Sequence, residues 1–240
     1  MEVEVRLFAT LKDRAGQDRI TVTLAQPATV QDLLAAISDS YPALAAAVDS
    51  CVISVNRDFA SEATAVRPHD DVAMFPPVSG GSGQEAFPHP TYFAITHEAP
   101  DINAIHRRLQ QPDVGAIISF TGSVRGQTAR EGLPEETIFL EYEAYNEMAE
   151  QKMAQIAREI WEKWPLVKGI AIVQRIGRLD IGDITTFVAC AAGHRDQGAF
   201  AAARYGIDRL KEIVPVWKKE VGPDESVWVE GHYRPTEADN

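Results

Sequence analysis

The sequence predicts an α+β chain in two units. Alternating strand-like runs and one amphipathic helix fill the first 80 residues or so. A stretch rich in Gly, Pro and Ser follows, "PPVSGGSGQEAFPHP" over 76–90. Strand and helix patterns then begin again and run to about residue 232. The expected boundaries are 1–81 for the first unit, 82–90 for a linker and 91–240 for the second.

In the first unit, "EVEVRLF" (2–8) places Val3, Val5 and Leu7 on one face of a half-buried strand. "DRITVTL" (18–24) repeats the pattern with Ile20, Val22 and Leu24, and a short turn containing Gly16 is expected to join the two as a hairpin. Thr29 caps a helix over "VQDLLAAISDSY", where Val30, Leu33, Leu34 and Ile37 fall at helical spacing and Pro42 follows the end. "CVISVN" and "DDVAMF" read as two more strands. Strand, strand, helix, strand, strand is the order of a β-grasp, the ubiquitin-like architecture.

The second unit opens with the strand "TYFAITHEA" and a helix capped by Asp101 (101–110). "VGAIISFTGSVR" (114–125) reads as a strand running into a turn at Gly122, and "TIFLEYEAY" (137–145) as another strand. An amphipathic helix covers 146–164, with Met153, Ile156, Ala157, Ile160 and Trp164 inward. The strands "GIAIVQRIG" and "ITTFVACAAG" precede a last helix, "QGAFAAARYGIDRLKEIV", stopped by Pro215. The pattern has no internal repeat.

Charge excludes one class of partner. The net charge is −12. Residues 1–81 hold 6 basic and 11 acidic side chains, the remainder 17 and 24, so the units carry −5 and −7. Neither has the basic footprint of a nucleic-acid binder. The opening "MEVEVRLFAT" is no signal peptide, and no apolar run is long enough for a bilayer, so no membrane partner and a cytoplasmic location are expected. Cys51 and Cys190 sit in apolar runs and read as buried thiols. His69, His89, His97 and His106 lack metal-site spacing, so no metal is expected. P-loop, Rossmann and G-x-S-x-G signatures are absent.

One segment departs from the acidic background. From His194 to Lys219 there are six basic residues (Arg195, Arg204, Arg209, Lys211, Lys218 and Lys219) against Asp196, Asp208 and Glu212. Gly193-His194-Arg195 stands where a strand ends and a helix soon begins, a place that favours anions. Arg204, Ile207 and Lys211 share a helical face, and Lys218 follows on a segment that can return to it. Arg125, after the strand of "SFTGSVRG", adds a guanidinium suited to phosphate or carboxylate. The pattern predicts that Arg125, His194, Arg195, Lys211 and Lys218 converge on a small anionic molecule. A solvated basic helix face with a core histidine is the competing reading.

These motifs resemble molybdopterin synthase, with its small and large subunits fused. Residues 1–81 are similar to the sulfur-carrying small subunit through "VRLFATLKDRAG", "ISVN" and "DDVAMFPPVSGG". Residues 88–232 are similar to the catalytic large subunit through "GAIISFTGSVR", "RIGRLDIGD", "GHRDQGAF" and "LKEIVPVWKKE". The resemblance implies a thiocarboxylate on Gly81, after Gly80, made by a separate ATP-dependent adenylating enzyme. No bound cofactor is implied. Sulfur passes to cyclic pyranopterin monophosphate, and two deliveries make the dithiolene. Lys211 and Lys218 match the active-site lysines. Arg125, His194 and Arg195 match ligands of the substrate's anion, and Phe120 and Ile207 match pocket walls. Ile207 stands where the family pattern has methionine. A homodimer is implied, with sites near its interface. In this chain the Gly81 carboxyl is locked in a peptide bond. The expectation is therefore a protease cut after Gly81, with a tethered, inactive carrier mimic as the alternative. Two non-synthase readings remain: a ubiquitin-like module tethered to a non-catalytic anion-binding domain, and a hydrolase using His194, for which no Ser or Cys nucleophile stands out.

Overall fold

The computed structural model describes residues 1–76, 87–127, 134–229, 236, 239 and 240; the tail glycines Gly80 and Gly81 lie outside them. The first unit runs β1 (Glu2–Leu7), α1 (Ala9–Ala15), β2 (Arg19–Thr23), β3 (Ala28–Thr29), α2 (Val30–Ser40), α3 (Pro42–Ala45), β4 (Val52–Val55), β5 (Asp58–Ala60), β6 (Ala65–Val66) and β7 (Val72–Phe75). Its main sheet has the order β2-β1-β7-β4-β5, with β1 and β7 parallel, and β3 pairs with β6. Thr29 and Asp32 form a reciprocal capping box at the start of α2. Val30, Leu33 and Ile37 of α2 then pack over Val5, Ile20, Val22 and Met74. This is the β-grasp.

One local expectation fails. The chain between β1 and β2 is a helix, α1, and not a hairpin turn, although the two strands pair as expected. Gly16 closes that helix in the left-handed conformation, at φ 68°, and Leu11 is buried in the core.

The second unit runs β8 (Thr91–Thr96), α4 (Ile102–Leu109), β9 (Ala116–Ser123), β10 (Phe139–Ala144), α5 (Asn146–Lys163), β11 (Val167–Arg175), β12 (Gly177–Asp180), β13 (Ile184–Ala192), α6 (Ala199–Ile213), β14 (Val216–Val221) and β15 (Ser226–Val229). It contains two sheets, β8-β11-β13-β9 and β12-β10-β14-β15. Helices α5 and α6 cover one face of the first sheet, where Ile156, Ile160, Ile207 and Leu210 meet Ile170, Ile172, Val188 and Cys190. Helix α4 covers the other face through Ile105 and Leu109. The turn expected at Gly122 is absent: the residue sits inside β9, opposite Thr186, where a Cβ would stand 3.1 Å from the Thr185 hydroxyl. Among the described residues, no helix is long and apolar enough to cross a membrane.

The two units keep separate sheets but share a third apolar cluster. Phe8 of the first unit stacks between Tyr145 (5.0 Å between ring centroids, 18° between planes) and Trp217 (5.3 Å, 20°) of the second. Phe75 also meets Trp217, at 5.7 Å. Ala9 directly follows Phe8 and holds φ 47°, a conformation uncommon outside glycine that the surrounding contacts maintain. Arg6 lies over the Tyr145 ring at 4.3 Å, and its guanidinium donates to Asp71 at 2.8 Å and to the Tyr145 hydroxyl. Lys12 pairs with Glu143 at 2.7 Å.

Phe8→Ala is expected to lower stability by roughly 2–3 kcal/mol, at or below the usual range for a fully buried ring. Denaturant unfolding measures the loss, and Trp217 emission should shift to the red. A midpoint and spectrum like those of the parent would show that the stack does not hold the units together.

Candidate active site

Side-chain alternation along β14 separates two tasks. Trp217 and Lys219 face the first unit, with the Lys219 ammonium 3.9 Å from Asp13 and 5.5 Å from the centre of the Trp228 ring. Lys218 and Glu220 take the opposite face. There Lys218 stands across from Tyr142 on β10. Glu220 is 1% exposed. Its Oε1 accepts the Thr137 hydroxyl at 2.5 Å, and its Oε2 lies 3.4 Å from the Lys218 ammonium. The Tyr142 phenol is pushed up to about 12, by burial first; Glu220 adds to the rise and a bond with Thr185 opposes it.

Lys211 occupies the last turn of α6. Its surface area leaves it exposed. The protein crowded around it and the neighbouring Lys218 nevertheless both disfavour its charge, in that order, and push its pKa down to about 8.

Arg125 lies at this end as well. The end of β9 pairs with the start of β13, Ser123 opposite Ile184. Helix α6 begins past the other end of β13 and packs back along β13 and β9, which returns its last turn toward Arg125. His194 and Arg195 precede α6, at the far end. A helix of that length spans roughly 20 Å. The predicted convergence of five cations therefore divides within one chain into Arg125, Lys211 and Lys218 at one end and His194 and Arg195 at the other. The length of helix α6, which lies between His194 and Lys211, is the reason. At the far end His194 Nδ1 lies 2.6 Å from Asp196, and Arg195 Nη1 lies 2.8 Å from His194 Nε2.

Phe120 is 40% exposed in the middle of β9, opposite Val188. Ile207 is 9% exposed and packs into the core beneath α6. The Cys190 thiol is fully buried and pushed up to about 12, so it is no ready thiolate. Among the described residues, no group of three or more His, Cys, Asp or Glu could hold a metal. Sequence reasoning missed Glu220, Thr137 and Tyr142. The signal for Glu220 was available: it stands two residues after Lys218, on the same face once "VWKKEV" is read as a strand.

A ubiquitin-like unit docked on one face of a sheet whose other face presents a lysine, with a second lysine beside it, defines a β-grasp module fused to an α+β domain with a paired-lysine site. The chain belongs to the family of molybdopterin synthase catalytic subunits. The MoaE protein family matches residues 95–213, and the ThiS family matches residues 5–81. A molybdopterin synthase catalytic subunit of Halalkalibacterium halodurans is 44% identical over 137 residues, covering 57% of this chain and 84% of that protein. One from Staphylococcus carnosus is 50% identical over 123 residues, covering 51% and 77%. Among solved structures, molybdopterin synthase from Staphylococcus aureus aligns with a TM-score of 0.52 at 44% identity, over 56% of this chain and 94% of that one.

Acylation of Lys211 by an amine-selective reagent, followed by mass spectrometry across pH, should show a midpoint near 8, against about 10.4 for an ordinary lysine. Lys218→Ala removes the nearby positive charge and should move the midpoint upward. An ordinary midpoint in the parent protein, or none of that movement in the variant, would remove the coupling between the two amines.

Proposed function

We propose that this chain is a molybdopterin synthase of molybdenum cofactor biosynthesis, transferring sulfur from a thiocarboxylate on Gly81 to cyclic pyranopterin monophosphate. One observation carries the reading. Phe75, where the carrier's last strand ends, packs on Trp217, the residue before Lys218. Gly81 lies five positions beyond Pro76, and an extended chain of that length reaches roughly 17 Å. Glycines at the tip suit a narrow channel because they lack a Cβ.

In this reading Lys211 is the base or nucleophile. Its lowered pKa supplies a useful fraction of free amine near neutrality. Lys218, held 3.4 Å from Glu220, offers its ammonium to developing negative charge. Each delivery moves one sulfur to the substrate and leaves Gly81 as a carboxylate, its new oxygen coming from water. The buried Cys190 takes no part. The ATP-dependent adenylating enzyme recharges the tail between deliveries, and the reaction takes place in the cytoplasm.

Adenylation needs a free carboxylate, so the chain is a precursor cut after Gly81. The ThiS family match, which ends at Gly81, supports this. In the tethered-mimic alternative a separate carrier would do the work. A homodimer accounts for the divided cations: His194 and Arg195 then complete the substrate pocket of a neighbouring copy, with Arg125 binding the same anion and Phe120 and Ile207 forming walls. The open, partly exposed edge strand β9 suits such a neighbour.

Lys211→Ala should abolish dithiolene formation from thiocarboxylated carrier and cyclic pyranopterin monophosphate, with stability changed by no more than about 0.5 kcal/mol. Near-normal turnover would remove Lys211 from the mechanism, and intact anion binding alongside a parent that shows no turnover would favour the non-catalytic module. Mixing the inactive Lys211→Ala and His194→Ala proteins under subunit exchange should restore part of the activity. No recovery, with mixed dimers confirmed by mass, would mean that both residues serve one chain's site.

A further inference from the structure

Asp239 and Asn240 bridge the two units at a place separate from the lysine site. Strand β5 is the open edge of the carrier sheet. On it, the Phe59 N–H donates to the Asn240 Oδ1 at 2.9 Å, and the Phe59 carbonyl accepts from Asn240 Nδ2 at 3.0 Å. One amide side chain therefore satisfies both backbone groups of an edge residue, as a neighbouring strand would. The Phe59 ring belongs to the shared apolar cluster and lies 5.0 Å from the ammonium of Lys152 on α5. Lys152 is 1% exposed. Its ammonium donates to the Asp239 carbonyl, which also accepts from Gln155 at 3.0 Å. The Asp239 carboxylate lies 3.1 Å from Arg209 on α6, and Arg209 is itself held by Glu159 of α5 at 3.0 Å. Thr236 reaches the groove beside Val30 and Leu34 of the carrier helix.

These contacts form a closed circuit: Phe59 backbone to Asn240, Asp239 to Lys152, and Lys152 back to the Phe59 ring. We propose that Asp239 and Asn240 form a latch that closes the carrier's open sheet edge onto α5 and α6. The latch retains the carrier on the second unit whether or not the peptide link between the units is intact. Charge burial supplies the physical reason. Lys152 is an ammonium almost without solvent, and such a charge is tolerated only when polar partners surround it. The Asp239 carbonyl is one of those partners. Lifting the segment would cost the second unit a ligand for a buried cation at the same moment that β5 loses its edge cap. Release of the carrier and opening of the latch are thereby tied together, and neither unit alone supplies all the parts. The inference does not depend on sulfur transfer.

The test uses the full-length chain with a specific protease site placed within residues 82–86. Asn240→Ala is the variant, since Asn240 is exposed and its loss does not threaten folding. Hydrogen exchange read on a peptide containing Phe59 should quicken about fivefold, the equivalent of one ordinary hydrogen bond, with exchange in β1 and β7 unchanged. After the cut, the carrier fragment should leave the second unit several-fold faster in the variant, measured as a dissociation rate. Unchanged exchange at Phe59 would overturn the proposal. Faster exchange with an unchanged dissociation rate would also overturn it, because the segment would then cap an edge without holding the units together.

Discussion

The arrangement depends on one aromatic ring. Phe8 leaves the end of β1 and enters a slot between Tyr145 and Trp217, nearly parallel to both. The Tyr145 wall stands at the junction of β10 and α5, and the Trp217 wall stands on the strand that carries Lys218. A ring held between two such walls fixes the carrier against both sheet and helix, and large aromatic surfaces of this kind dominate interface energetics. The left-handed Ala9 that follows shows the backbone bent to aim this ring, and α1 begins at that bend.

Charge sets the orientation that the ring alone leaves open. Both units are acidic, so their mean fields repel. The ion pairs across the junction run in both directions. Arg6 and Lys12 of the carrier reach Glu147 and Glu143, while Lys219 of the second unit reaches Asp13. Each of these half-buried pairs contributes modestly on its own. Together their alternating sign penalises a rotated or shifted docking, where like charges would meet.

The strands and helices that form cores were legible because hydrophobic spacing reports them directly. Val3, Val5 and Leu7 were readable as one strand face, and the Thr29 cap as a helix start. Helix α1 was not legible: "ATLKDRA" is short, only Ala9 and Leu11 of it are buried, and its closing Gly16 equally signals a turn. Gly122 misled for a related reason, since a glycine that permits close side-chain approach in a sheet looks the same in sequence as one that turns the chain. In the site, Lys211 and Lys218 were found as a pair because the local charge excess is visible in one dimension. The separation of His194 from Lys211 was hidden because residues bordering one helix look adjacent in sequence while lying at its two ends. The docking slot was invisible, since Phe8, Tyr145 and Trp217 come from three distant segments.

Strand β14 is six residues long and carries two kinds of information on alternate positions. Trp217 and Lys219 meet the carrier, while Lys218 and Glu220 form the ion pair on the opposite face. A strand has a period of two, so shifting its pairing by a single position would turn Lys218 toward the docking slot and the Trp217 indole toward the opposite face. Point substitutions here damage one task at a time. A single-residue insertion or deletion that shifts the register of the whole strand would exchange both at once. The length of this segment should therefore resist change over evolutionary time more strongly than the identity of most of its residues, and β10, which pairs with it along all six positions, is the ruler that enforces that length.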